Sequence, residues 1–102
     1  MNYLDVVATQ IRDQLPTELI PESDADDLFR AYAVLALAKG TEVSREDVHH
    51  AWVGWMLSRG QEHESMVPFV ELDAKTQAED SPFVTAIRHV AALGRRRDDG
   101  LA

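Results

Sequence analysis

The sequence predicts an all-α fold, a small single-domain bundle of four main helices plus one short helix, with an irregular loop at about 60–72. Two observations predict it. Apolar residues recur three and four positions apart over most of the chain, which is the spacing of one helix face. No stretch alternates apolar and polar residues as a half-buried strand would. The length of 102 residues is that of one domain.

The first two helices are predicted from their apolar spacing and their stop signals. The first runs from about Tyr3 to Gln14 and ends before Pro16. Ser23 is the predicted N-cap of the second, because acidic residues follow it in the first turn. An alanine- and leucine-rich run continues to Gly40, the predicted C-terminal stop. Apolar residues surround so much of this second helix that we expect it at the centre of the bundle.

The third helix has the clearest start. Ser44 is its predicted N-cap, and Val43 and Val48 are spaced as a hydrophobic staple on either side of it. We expect the helix to run to about Arg59 and to end at Gly60. Its predicted inner stripe contains Val48, Ala51, Trp52, Trp55 and Met56.

The last helices follow the irregular loop. Asp73 is expected to cap a short helix, and Ser81 with Pro82 forms a good N-cap and first-turn pair. The last helix is predicted to run to Leu93 and to end at Gly94. The folded domain is therefore assigned to residues 1–94, and residues 95–102 are predicted to form a flexible charged C-terminal tail.

The charge and composition exclude several classes of protein. Acidic residues outnumber basic ones by 18 to 10, and the net charge of −8 makes nucleic acid an unlikely partner, because phosphate contacts need lysine and arginine. The run Arg95-Arg96-Arg97 is expected to be a solvated part of the tail. There is no cysteine, and no apolar run approaches the roughly 20 residues that span a membrane. These features predict a cytoplasmic protein that has no membrane association.

Metal binding and catalysis are not predicted. His49 and His50 are adjacent, so on a helix their side chains point about 100° apart and cannot easily share one ion. His63 and His89 have no partner at metal-ligand spacing. The chain has no nucleophile elbow and no glycine-rich phosphate loop. We therefore predict a non-enzymatic protein that needs no metal or other cofactor.

The stretch "VHHAWVGWMLSRG" offers the best candidate site. Trp52 and Trp55 are three residues apart on one face of the third helix, and two indoles are a large filler for so small a domain. With His49, Arg59 and the loop residue His63, they could stack a planar ligand or anchor a side chain of a partner. We expect Trp52 at the structural centre and Trp55 at the contact surface.

Three ordered sequence elements resemble the RyR domain, the repeat first named from ryanodine receptors. "VHHAWVGWMLSRG" resembles its Val-His-x-x-Trp helix, "HESMVPFVEL" its loop, and "AKTQAEDSPFVTAIRHV" its acidic stretch and last helix. The resemblance spans about residues 43–92. It departs from the family at Glu64, where proline is usual, at Phe69, which replaces tyrosine, and in a shortened segment after Gly60. The whole chain also resembles small proteins encoded by actinobacteriophages.

The resemblance implies a non-enzymatic binding module, acting in the host cytoplasm if phage-encoded. Its partner would be a protein or a nucleotide-derived ligand. Together, the resemblance and the aromatic face give the candidate binding residues His49, Trp52, Trp55, Arg59, His63, Pro68, Phe69 and Asp80. His63 and Asp80 could instead pin the loop to the helix ends. The alternative function is a structural or regulatory interaction protein of a phage that acts on host proteins and binds no small ligand. It would homodimerise through the alanine-rich face of the second helix.

Overall fold

The fold is a bundle of helices, as predicted from the sequence. The computed structural model describes the backbone of residues 2–101 and the side chains of residues 2–94. Its α-helices are α1 (Tyr3–Asp13), α2 (Ala25–Lys39), α3 (Arg45–Ser58), α4 (Ala74–Ala78) and α5 (Ser81–Leu101). Short 3-10 turns occupy Thr17–Leu19, Gly40–Glu42 and Phe69–Glu71. No helix in the described range is long and apolar enough to cross a bilayer.

Helix α2 lies at the centre of the bundle, as its broad apolar surface predicted. It packs against α1, α3 and α5. Phe29 and Tyr32 meet edge to face, with ring centroids 5.5 Å apart, and both rings are almost completely buried. The core contains Ala8, Ile11, Ala25, Leu28, Phe29, Tyr32, Ala33, Ala36, Val43, Val48, Trp55, Val84, Ala86, Ile87 and Val90.

Most of the predicted helix ends are confirmed. Ser44 caps α3, since its hydroxyl accepts the backbone N–H of Asp47 at 3.2 Å while the Asp47 carboxylate accepts the N–H of Ser44 at 2.9 Å. Asp73 caps α4 through the backbone N–H of Thr76 at 2.8 Å. Gly40 and Gly60 follow α2 and α3 with φ of 59° and 69°, the left-handed region that glycine tolerates best.

The predicted start of α2 is wrong by one residue. The N-cap is Asp24, not Ser23, and its side chain makes no capping hydrogen bond. Asp24 adopts φ 57°, a conformation uncommon outside glycine but tolerated by aspartate. Its carbonyl oxygen accepts the indole N–H of Trp55 at 3.0 Å. The start of α2 is therefore positioned by a contact with α3. The sequence had suggested a side-chain cap within α2 itself.

The predicted end of the last helix is also wrong. Helix α5 continues from Ser81 to Leu101 and does not end at Gly94. Gly94 does not have a positive φ, so it acts as an ordinary helical residue. A glycine inside a helix costs about 1 kcal/mol relative to alanine and does not by itself end the helix. The side chains of 95–102 lie outside the described residues, so the flexible charged tail stays a prediction.

The indole of Trp55 is expected to stabilise the junction of α2 and α3. Trp55→Phe removes the hydrogen bond to Asp24, and we expect the free energy of unfolding to fall by about 2 kcal/mol. Trp52→Phe is the matched control, because the Trp52 indole donates to none of the described residues and its loss should cost less. Urea denaturation measures both values. Equal losses in the two variants would contradict this role of the hydrogen bond.

Candidate functional site

A cavity of ≈ 250 Å³ lies beside the central helix and is lined by residues from every α-helix except α1. Its apolar wall comes from residues far apart in the chain, namely Leu19, Leu28, Trp52, Leu72 and Phe83. Tyr32, His49, His63 and Asp80 contribute polar atoms to it. We call this space the Trp52 cavity. A concave, mostly apolar space with a few convergent polar groups is typical of a binding site.

His49 fixes the irregular loop and also faces the cavity. Its ring is 4 % exposed, and its Nε2 lies 2.6 Å from the carbonyl oxygen of Val67. A carbonyl only accepts hydrogen bonds, so Nε2 carries a proton, and Nδ1 is an acceptor when the imidazole is neutral. Within the described part of the chain, Nδ1 has no partner and no buried polar side-chain atom is left unpaired. Nδ1 of His49 is therefore accessible, and the space that it reaches is the Trp52 cavity, which His49 lines.

Tyr32 places a hydroxyl at the same cavity. The residue is 2 % exposed and makes no side-chain hydrogen bond to any described residue. No buried polar side-chain atom in the described part of the chain lacks a hydrogen-bond partner, so the unpartnered hydroxyl oxygen of Tyr32 must be accessible. The space that it reaches is the Trp52 cavity, which Tyr32 lines. Burial raises the pKa of this hydroxyl, and the negative charge of Asp80 raises it further. Tyr32 is thus a neutral donor and acceptor at the cavity wall.

Asp80 brings a carboxyl group to the cavity. Its partial burial raises the pKa to about 6, with a smaller upward contribution from Glu79, while His49 and Arg45 act in the opposite direction. No described residue donates a hydrogen bond to its side chain. At neutral pH the carboxylate is therefore mainly ionised and incompletely solvated. A perturbed carboxyl in a cleft is a functional-site candidate.

The aromatic rings around His49 form a continuous set. His49 stacks on Trp52 with ring centroids 5.9 Å apart, and Trp52 meets His63 edge to face at 5.4 Å. Phe69 lies on the other side of His49, at 6.0 Å. His63 is exposed, and its Nδ1 accepts the backbone N–H of Ser65 at 3.0 Å, which shapes a local turn. The loop is pinned to the helix by His49, and neither His63 nor Asp80 makes that connection.

The expected roles of the two tryptophans are reversed. Trp55 is only 7 % exposed and belongs to the core, whereas Trp52 is partly buried and lines the cavity. The guanidinium of Arg59 lies over the Trp55 ring at 4.4 Å and 3.8 Å from the carboxylate of Asp24. Trp55 and Arg59 therefore belong to the α2–α3 junction and not to the site. The three-residue spacing placed both indoles on one helix face but could not show which neighbours cover each of them.

Four of the eight predicted site residues meet at the cavity, namely His49, Trp52, His63 and Asp80. Trp55, Arg59, Pro68 and Phe69 do not line it. Tyr32 was missed as a site residue, because its helical spacing marks it only as core. The one available signal was its hydroxyl, a polar atom within a wholly apolar helix face. In the described part of the chain, no three His, Asp or Glu side chains form a group that could hold a metal ion.

The half-buried carboxyl of Asp80 is expected to destabilise the folded protein at neutral pH. Its native pKa is raised, so the wild type gains stability as the pH falls from about 7 to about 4. Asp80→Asn lacks this gain and should be more stable than the wild type by about 1 kcal/mol at pH 7.5, after allowance for partial solvent screening. The two proteins should be equally stable at pH 4.

Thermal unfolding across this pH range measures the difference, and Glu62→Gln is the control. Glu62 is exposed and the substitution changes the net charge equally. A stability difference between Asp80→Asn and wild type that does not vary with pH would contradict the assignment.

Comparison with known proteins corrects the family resemblance. A family model described as "Domain of unknown function (DUF7701)" matches residues 2–92. The RyR assignment for about residues 43–92 is therefore wrong, and the expectations that depended on it lose that support. No curated protein and no solved structure matches the chain. The match covers most of the chain and includes α1 and α2, so the chain belongs to this family, the domain of unknown function DUF7701.

Proposed function

We propose that the chain is a non-enzymatic binding module whose Trp52 cavity takes an arginine side chain of a protein partner. The observation that carries the proposal is the convergence of three polar groups without described partners on one aromatic cavity. They are the Tyr32 hydroxyl, Nδ1 of His49 and the Asp80 carboxylate. When the His49 imidazole is neutral, its Nδ1 and the Asp80 carboxylate both accept hydrogen bonds, so the complementary ligand is one that mainly donates them.

A guanidinium group fits this pattern of acceptors. It is planar and positively charged, and it presents several N–H donors in a fixed geometry. Asp80 supplies the opposite charge, and Nδ1 of His49 supplies a second acceptor. The indole of Trp52 offers a face for a cation–π contact, worth about 0.5–2 kcal/mol depending on desolvation. An arginine would therefore replace the water that solvates these groups.

The size and charge of the cavity favour one side chain over a nucleotide-derived ligand. Its ≈ 250 Å³ is below the roughly 300–1,000 Å³ of pockets that enclose drug-sized ligands. Glu79 and Asp80 both line it, and the whole chain has a net charge of −8. A phosphate-bearing ligand would meet repulsion here, whereas a basic segment of a partner would be attracted.

Homodimerisation through the alanine-rich face of α2 stays a prediction. Ala25, Ala33 and Ala36 are buried in the core, whereas Ala38 is exposed. The exposed side of α2 carries Val34 and Leu37, which are 51 % and 56 % exposed. Light scattering over a range of concentrations tests this alternative. Cytoplasmic location and phage origin likewise stay predictions.

Tryptophan fluorescence tests the arginine site. Titration with the short peptide acetyl-Gly-Arg-Gly-amide should give a saturable change in emission, because Trp52 lies in the cavity wall. The same peptide with citrulline, which keeps the planar shape and loses the charge, should bind at least about 10-fold more weakly, a difference of about 1.4 kcal/mol.

Variants locate the response. Asp80→Asn should weaken binding of the arginine peptide about 10-fold, while Glu62→Gln should leave it within about twofold. Trp52→Phe should abolish the fluorescence change, and Trp55→Phe should retain it. Equal responses to the arginine and citrulline peptides, or no response to either, would exclude the proposal.

A further inference from the structure

A second cavity, of ≈ 350 Å³, lies where the first turns of α3 and α5 meet. Its lining contains Ser44, Arg45, Ser81, Val84, Thr85 and Arg88. Two arginines and three hydroxyls line it, and no carboxylate does. This composition stands out in a chain with 18 acidic and 10 basic residues. We call this space the Arg45–Arg88 cavity.

The two arginines of this cavity have no carboxylate partners. Arg12, Arg30 and Arg59 each lie within 4 Å of an aspartate. Among residues 2–94, neither Arg45 nor Arg88 has such a partner. The pairing of the other arginines shows that acidic side chains are plentiful near basic ones in this fold. The lining of this cavity therefore contains two guanidinium groups and no carboxylate.

Arg88 is held in place by the fold. Its Nε donates to the carbonyl oxygen of Val43 at 2.7 Å, and this contact joins α5 to the segment before α3. The bond uses one of five N–H donors of the guanidinium, so its terminal N–H groups remain for a ligand. Preorganisation of this kind lowers the entropy that a side chain loses on binding.

Hydroxyl groups add neutral donors to the positive charge. Ser81 and Thr85 lie one turn apart on α5, and neither hydroxyl donates to another described residue. The Ser44 hydroxyl is already used in the cap of α3, where it bonds to Asp47. Asp47 is in turn paired with Lys39 at 2.8 Å. Glu46, which follows Arg45, and Asp80, which precedes Ser81, are the acidic residues adjacent to the lining in sequence, and neither lines this cavity.

We propose that the Arg45–Arg88 cavity binds a phosphate-sized oxyanion, either as free inorganic phosphate or as the phosphoryl group of a phosphorylated partner. Guanidinium groups match phosphate oxygens in pairs, and hydroxyls can donate to the remaining oxygen atoms. The first turns of α3 and α5 contribute favourable dipoles to the same space. This proposal is independent of the arginine site in the Trp52 cavity, since the two spaces share no lining residue.

Titration with inorganic phosphate at pH 7.5 and constant ionic strength, followed by ¹H–¹⁵N NMR, tests the site on the full chain. We expect saturable shifts limited to the backbone amides of residues 44–46, 81 and 83–85 and the Nε–H of Arg88. Shifts that are spread over the surface or do not saturate would show an adventitious ion only and would overturn the proposal.

Variants identify the groups that bind. Arg45 is exposed and has no described side-chain partner, so Arg45→Gln should fold normally and weaken phosphate binding about 10-fold. Arg45→Gln combined with Arg88→Gln should abolish it. Lys75→Gln is the control, because Lys75 is exposed, lies on α4 and changes the net charge equally. Equal weakening by Arg45→Gln and Lys75→Gln would overturn the proposal.

A phosphoserine peptide with neutral flanking residues distinguishes the two sources of the anion. Tighter binding of this peptide than of inorganic phosphate, by about 10-fold or more, would assign a phosphorylated partner. Similar affinities for both would assign the free ion. In both cases, the variant that combines Arg45→Gln with Arg88→Gln must lose the binding of phosphate and of the phosphoserine peptide. Equal binding of the unphosphorylated peptide would contradict it.

Discussion

The hydrogen bond from the buried ring of His49 to the carbonyl of Val67 determines much of the candidate site. It joins the irregular loop between α3 and α4 to the middle of the bundle. The same bond places a proton on Nε2, so Nδ1 is the acceptor of the ring when the imidazole is neutral. Gln77 adds a second connection, as its side-chain amide donates to the carbonyl of Phe69 at 3.0 Å. The loop is thus a fixed wall of the Trp52 cavity.

Helix α3 supports irregular backbone at both of its ends. Trp55 donates to Asp24 before α2, and His49 donates to Val67 after α3. In each case a ring N–H donates to a backbone carbonyl oxygen that accepts no hydrogen bond within a helix. Buried backbone outside regular helices needs such partners for its polar groups. The described side chains leave no buried polar atom unpaired. The polar groups of the cavity are therefore solvated, and a ligand must replace that water with equivalent hydrogen bonds.

Features set by neighbouring residues were predictable from the sequence, and features set by distant contacts were not. The caps at Ser44 and Asp73 depend on a side chain three residues from its partner, so the local pattern was sufficient. The start of α2 depends on Trp55, which lies 31 residues from Asp24. The same limit explains the site. His49 and Trp52 were identified from one helix, but only the tertiary fold joins them to Tyr32.

The two cavities are lined by neighbouring segments of α3 and α5, and the charged side chains in their linings differ in sign. Asp80 lines one cavity and Ser81 the other, while Arg45 lies one helical turn before His49. Partial burial raises the pKa of Asp80 and the positive charge of Arg45 opposes that rise, so a charge in one site acts on the carboxyl of the other. An anion beside Arg45 would weaken the effect of the Arg45 charge on Asp80. The negative charge of the anion would also attract a cation in the Trp52 cavity. Thermodynamic linkage makes such coupling reciprocal. A partner with a phosphoryl group close to an arginine would satisfy both sites at once, with each contact strengthening the other.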